Sequence, residues 1–171
     1  MTYRYSLVAL AAMLVTLASE RLSAQEREYR LGVNAAEFHE NFNAASAAME
    51  FEVRASKKGC GAGVKIACQY FVNERIGIIA SAEKNDPRAT EIIVMYSKAS
   101  AVDALLFMMT ESAVISAITP SADRRELGNF LTSLQKRLLD QDEADGVFNS
   151  VHYTLTKVDS MLIFGAEPPS P

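Results

Sequence analysis

The spacing of apolar residues switches between two periods along this chain, and the order of the switches constrains the fold more than any single motif. Residues 49–55 and 64–72 carry apolar residues at every second position, as is typical of half-buried strands, and the apolar segments 76–82 and 90–97 are predicted as two further strands. Residues 35–47 and two longer segments between residues 100 and 143 instead show helical spacing. Two further strand-like segments, residues 147–157 and 160–166, follow the last helix. The predicted order of elements is therefore α-β-β-β-β-α-α-β-β.

Strands that are grouped together, and helices that are grouped together, predict an α+β fold. Because the connections between strands are short, the sheet is expected to be antiparallel, with about six strands and with the helices packed on one face. The predicted turns include residues 57–63, which are rich in glycine, and residues 83–89, around Asp86-Pro87. Asn34 and Glu37 have the spacing of a capping box at the start of the first helix. The pattern leaves the strand order open.

The N-terminal segment has the three-part layout of a secretory signal peptide. Arg4 precedes an uncharged run from Leu7 to Ala18, and a polar stretch then ends at the small residue Ala24. This run is shorter than the roughly 20 apolar residues that a bilayer span requires. Residues 1–24 are therefore predicted to be a cleaved signal peptide, with a retained membrane anchor as the alternative. The predicted location is periplasmic or secreted, with no membrane span after cleavage.

The rest of the chain is predicted to form one α+β domain, residues 25–166, followed by a disordered tail, residues 167–171, with the sequence EPPSP. The full chain has a formal charge of −4, and removal of residues 1–24 makes it slightly more acidic. An acidic domain is not attracted to a phosphate backbone, so nucleic acid is not an expected partner.

Both cysteines lie in the stretch KKGCGAGVKIAC, together with three glycines. A phosphate-binding loop would open a helix, whereas these glycines lead into a strand pattern, so a hairpin connection is the better interpretation. Cys60 and Cys68 lack the Cys-x-x-Cys spacing of a redox centre, and two cysteines are too few for a structural zinc site. Outside the cytoplasm such a pair usually oxidises, so a disulfide that staples the first hairpin is predicted.

The histidines show no catalytic pattern. His39 is followed by a glutamate, but an H-E-x-x-H zinc motif would require a second histidine at the position of Asn43. His152 lies on the strand face opposite Val151 and Tyr153, and it is expected to face solvent or a partner. No metal site and no cofactor are predicted.

The acidic stretch from Asp140 to Gly146 resembles a calcium loop only in composition. Counted from Asp140, the position that requires a bidentate glutamate is Val151, so the ligand register fails. A solvated, charged helix end is the better interpretation.

These observations predict a small exported, non-enzymatic binding or interaction module with a protein partner in the cell envelope or outside the cell. His152, Lys57 and Lys58 are the candidate binding residues, and a homodimer is left open. The alternative is a carrier of an apolar small molecule or lipid in a cavity between helices and sheet, because the second helix is apolar on more than one face. A hydrolase would require side chains such as His39 and His152 to converge in one cleft.

Overall fold

One antiparallel sheet and three helices make up the described part of the protein, which in the computed structural model comprises residues 30–97 and 101–169. The elements are α1 (Phe38–Ala48), β1 (Ser56–Ala62), β2 (Lys65–Phe71), β3 (Ile76–Glu83), β4 (Asp86–Ser97), α2 (Ala101–Ile118), α3 (Arg124–Asp140), β5 (Glu143–Phe148), β6 (Val151–Val158) and β7 (Met161–Glu167). The seven strands have the order β1-β2-β3-β4-β7-β6-β5, so β4 is central and β1 and β5 are the edges. The predicted α+β class is confirmed, with one strand more than expected. The predicted signal peptide lies outside the described residues.

All three helices pack on the same face of the sheet, which we call the inner face. Each helix contributes a phenylalanine that contacts a buried tyrosine of the sheet, with ring-centroid distances of 6.1 Å for Phe38–Tyr70, 5.3 Å for Phe107–Tyr96 and 5.6 Å for Phe130–Tyr153. The cross-strand register places these tyrosines on one face, together with the other buried residues that alternate along each strand. We call the opposite face of the sheet the outer face. None of the helices among the described residues is both long and apolar enough to span a membrane.

The strand predicted over residues 49–55 is wrong, because polar side chains of α1 bind the backbone groups that a strand would need. Ser46 Oγ donates to the Val53 carbonyl oxygen at 2.7 Å. The Asn43 side chain accepts from the Ala55 N–H at 2.7 Å and donates to the Ala55 carbonyl oxygen at 3.0 Å. The alternation of apolar residues is satisfied outside the sheet, since Val53 and Ala55 are buried and their neighbours are exposed.

The predicted capping box at the start of α1 is also wrong. The N-cap residue is Glu37, and its side chain makes no capping hydrogen bond. Asn34 Oδ1 instead accepts from the Ala36 N–H at 2.9 Å, and Asn34 forms an antiparallel bridge with Arg88 near the start of β4. Asn34 therefore pairs with the sheet, although the local sequence pattern assigns it to the start of the helix.

Residues 57–63, predicted as a turn, belong almost entirely to strand β1, and the chain reverses at Gly63 and Val64. The register places Cys60 directly opposite Cys68, and the predicted disulfide joins them. Glycines weaken a strand but do not prevent one when a partner strand supplies the hydrogen bonds. Here β2 is that partner.

The additional strand arises at the end of the chain, where residues 147–157 were predicted as one strand. Asn149 and Ser150 both have positive φ, at 49° and 61°, and they form a two-residue turn between β5 and β6. The acidic stretch predicted as a helix end is also reassigned, because α3 ends at Asp140 and Glu143 begins β5.

Two element ends differ from the prediction. β4 begins at Asp86, inside the predicted turn of residues 83–89. β7 extends to Glu167, the first residue of the predicted tail, while Pro171 lies outside the described residues.

Candidate interaction surface

The outer face of the sheet carries apolar side chains where a solvent-facing sheet normally carries polar ones. The register places five of them next to each other on the strands β2, β3, β4 and β7. We call this set the outer patch: Phe71, Ile79, Ile93, Met95 and Ile163. Phe71 is 41% exposed, and the other four are half-buried. No element of the described chain supplies a second layer over these residues in the way that the helices cover the inner face.

Further apolar residues extend the outer patch toward the ends of β6 and β7. Val158 and Met161 are cross-strand neighbours on the outer face, and they are 41% and 38% exposed. Single exposed apolar residues are ordinary, whereas a contiguous set on one face marks an interaction site.

The two edges of the outer face carry opposite charge. At the β1 edge, Lys58 is the extra residue of a bulge, and its ammonium lies 5.1 Å from the centroid of the Phe71 ring. At the β5 edge, Glu143 and Asp145 occupy outer positions. Charged side chains on edge strands discourage non-specific pairing of strands. The outer face is therefore positively charged at the β1 edge and negatively charged at the β5 edge.

His152 of β6 contacts acidic side chains on both neighbouring strands, β5 and β7. Its Nδ1 atom lies 3.0 Å from Glu167 Oε1, and its Nε2 atom lies 3.3 Å from Asp145 Oδ2. The hydrogen bond to Glu167, assisted by that to Asp145, raises the pKa of His152 above its usual value against a smaller opposing effect of burial. A hollow of about 70 Å³ lies beside this group, lined by Glu91, Thr154, Gly165, Ala166 and Glu167.

Two of the three candidate binding residues share the outer face. Lys58 and His152 lie there, at opposite edges of the sheet. Lys57 does not, because its Nζ atom donates to the Ala36 carbonyl oxygen at 2.8 Å, on the helix side.

The two histidines lie on opposite faces of the sheet. His39 stacks on Tyr70 of the inner face, with ring centroids 5.5 Å apart, whereas His152 is on the outer face. The sheet therefore separates them, and they do not line one cleft. Within residues 30–97 and 101–169, no group of three or more histidine, cysteine, aspartate or glutamate side chains is arranged to hold a metal ion.

A groove of about 500 Å³ lies on the helix side, between α1 and the C-terminal end of α2. Small and apolar residues line most of it, including Ala44, Ala45, Ala48, Met49, Ile118 and Pro120. At its rim, the Arg124 guanidinium donates to the Ala48 carbonyl oxygen. The groove is therefore open at the surface of the helices, and it is not the cavity between helices and sheet that the carrier hypothesis predicts.

One carboxyl group lies in the interior. Glu111 of α2 is fully buried, and Gln135 of α3 donates to its Oε2 atom at 3.0 Å. Burial raises the pKa of Glu111 to about 8, although the hydrogen bond from Gln135 partly opposes the rise. Among the described residues, its Oε1 atom has no hydrogen-bond partner.

Sequence reasoning missed the outer patch, although β4 contains a signal for it. All four residues from Ile92 to Met95 are apolar, including those that point to the outer face. Such a run indicates a strand that is covered on both faces. The acidic group around His152 has no comparable signal, because Asp145, His152 and Glu167 belong to three strands whose pairing is set by the tertiary structure.

Comparison with known proteins identifies no relative of this chain. The chain matches no protein-family model, no curated protein and no solved structure.

Proposed function

We propose that this chain is a small exported, non-enzymatic interaction module that docks a protein partner through the outer face of its sheet. The observation that supports this proposal is the outer patch, which places apolar side chains on the central strands of a face without a second layer. An antiparallel sheet with one solvated face normally alternates apolar and polar residues, so apolar residues at outer positions favour a covering partner.

The free energy gained by burying an apolar patch is comparable to the free-energy cost of association. A contiguous apolar patch of about 300–600 Å² contributes on the order of 10 kcal/mol when it is removed from water. Association itself costs about 4–15 kcal/mol in lost translational and rotational freedom. Apolar burial alone therefore comes close to balancing that cost, and the charged edges would supply orientation and additional affinity.

Export is supported by the disulfide and by the predicted signal peptide together. A disulfide persists in an oxidising compartment such as the periplasm or the extracellular space. The proposal that the module has no catalytic role is supported by the separation of His39 from His152 by the sheet.

Site-specific photo-crosslinking at Phe71 tests the proposed function. A benzophenone-bearing phenylalanine analogue is placed at Phe71, or at Leu139 as a control that is 87% exposed on α3. Crosslinking is carried out in cells that export the protein. We expect adducts to a protein from position 71 and not from position 139. The addition of Ile93→Glu should abolish the adduct, whereas Leu139→Glu should leave it. Equal adducts at both positions, or none at position 71, would contradict the proposal.

The groove between α1 and α2 favours a second candidate function, the carrying of an apolar small molecule. Its volume of about 500 Å³ lies within the usual range of ligand sites. Native mass spectrometry of the purified protein should then show a retained small molecule. Ala44→Trp, which fills the groove, should remove it, whereas Ala47→Trp, on the same helix but not lining the groove, should not. A protein without added mass in all three forms would rule out the carrier function.

A further inference from the structure

We infer that the partner of the outer face is a second copy of this chain, related by a two-fold axis that runs parallel to β4. The inference rests on the proposed function and specifies its partner. It depends on where the register places small residues, large residues and charges across the outer face.

The central position of β4 determines how two outer faces can superpose. Three strands lie on each side of β4. When two identical faces meet in a symmetric dimer, the two-fold axis lies between them, and each contact is made twice. An axis parallel to β4 places β4 over β4 of the second copy, β3 over β7, and β1 over β5.

The outer positions of β3 and β7 are complementary in shape under this rotation. The register aligns them in two rows across the sheet, Gly77–Met95–Ile163 and Ile79–Ile93–Gly165. The rotation therefore places each isoleucine of the outer strands over a glycine of the second copy. Large residues opposite small ones are the arrangement by which packed layers interdigitate.

The charges at the two edges favour the same axis, although this axis also places Glu91 of β4 opposite Glu91 of the second copy. Lys58 lies beside Phe71, in the row that contains Glu143 at the opposite edge. Rotation about an axis parallel to β4 brings Lys58 of each copy over the acidic edge of the other. An axis perpendicular to the strands would instead place the acidic edge, Glu143 and Asp145, over itself, which is unfavourable.

The dimensions of the face are close to those of a stable interface. Seven strands span about 34 Å at a spacing of roughly 4.8 Å. Along the strands, five consecutive residues extend about 17 Å. The resulting area of about 600 Å² per copy approaches the roughly 800 Å² of a standard interface. Aligned sheets cross at about 30°, which moves the edges by approximately 7 Å, or two residues, along the strands. Lys58 would therefore face the two acidic residues of the β5 edge, Glu143 and Asp145, together.

Sedimentation equilibrium of the purified protein with its disulfide intact tests this inference. We expect a dimer whose dissociation constant rises at least 100-fold in Ile93→Glu and is unchanged in Leu139→Glu. Lys58→Glu and Glu143→Lys should each weaken the dimer about tenfold at low salt, and the double variant should restore it. Circular dichroism of each variant verifies that the fold is intact.

The crosslink at Phe71 supplies an independent geometric readout. In the dimer, Phe71 faces the outer side of β6 in the second copy, so an adduct of twice the protein mass should map to the peptide Val151–Val158. A monomer at all concentrations, or a dimer that persists in Ile93→Glu, would overturn the inference. If the protein is monomeric but Phe71 crosslinks to a different protein, the self-association is wrong and the proposed function stands. Without any adduct, both fail.

Discussion

Glu111 is expected to lower the stability of this protein at neutral pH, because its carboxyl group is buried without a charged partner. The pKa is about 8 in the folded protein and 4.5 for an exposed glutamate. The folded state therefore retains a proton that the unfolded state releases between these values. Stability from this group is fully present below pH 4.5, declines as the pH rises toward 8, and is constant above that. The slope is about 1.4 kcal/mol per pH unit, so about 3 kcal/mol is lost by pH 7.

Glu111→Gln removes this ionisation and retains the shape of the side chain. Its amide oxygen still accepts from Gln135, whose Nε2 atom lies 3.0 Å from Glu111 Oε2. We expect the free energy of unfolding of the variant to exceed that of the wild type by about 3 kcal/mol at pH 7, and to equal it within about 1 kcal/mol at pH 4.5. Other titrating groups contribute equally to both proteins, so the difference isolates position 111.

Urea unfolding at pH 4.5, 6, 7 and 8.5 provides the measurement, followed by circular dichroism. Glu74→Gln, at an exposed position in the loop between β2 and β3, is the matched control and should change stability by less than about 0.5 kcal/mol at every pH. A difference between Glu111→Gln and wild type that does not vary with pH would refute the reasoning, because it would mean that Glu111 has the same protonation state in both folded and unfolded protein.

Three further predictions concern the sheet. The His152 ring should titrate above 6.5 by NMR, so its contribution to stability is complete below that pH and is lost as the pH rises through the raised pKa; Glu167→Gln should lower the midpoint, and an unchanged midpoint would contradict the assigned cause. Replacing Cys60 and Cys68 together by alanine should lower the free energy of unfolding by about 2–3 kcal/mol in urea, since a short closed loop is released; equal stability with and without the disulfide would count against this. In Gly165→Ala the new Cβ would lie 2.5 Å from Thr154 Oγ1, so stability should fall by about 1–3 kcal/mol, and Thr154→Ala should recover most of the loss in a double-mutant cycle.

Local patterns predicted the class of the fold and several of its parts. Helical spacing identified α1, α2 and α3, and alternation identified β2, because both periods follow from backbone geometry and from one-sided burial. Apolar segments between turns identified β3, β4 and β7. The disulfide partner was also predictable, since only two cysteines exist and the chain pattern indicates an oxidising compartment.

The boundaries that failed are those where distant groups compete for the same backbone. The alternating residues 49–55 have the pattern of a strand, but Asn43 and Ser46 take their hydrogen bonds. The glycine-rich residues 57–63 have the pattern of a turn, but β2 supplies hydrogen-bond partners for most of them, so residues up to Ala62 form a strand with one bulge. Propensity is a weak prior that such tertiary contacts override.

The sequence alone predicts the three helices, most of the strands and the cysteine pair, because these depend on residues that are near each other in the chain. Only the tertiary structure decided that β7 pairs with β4, which leaves β1 and β5 as the two edges. That pairing brings Met95 beside Ile163 and places Glu167 beside His152. Pairing of strands that are distant in sequence depends on the burial and hydrogen bonds of the whole sheet, and short-range spacing does not encode it.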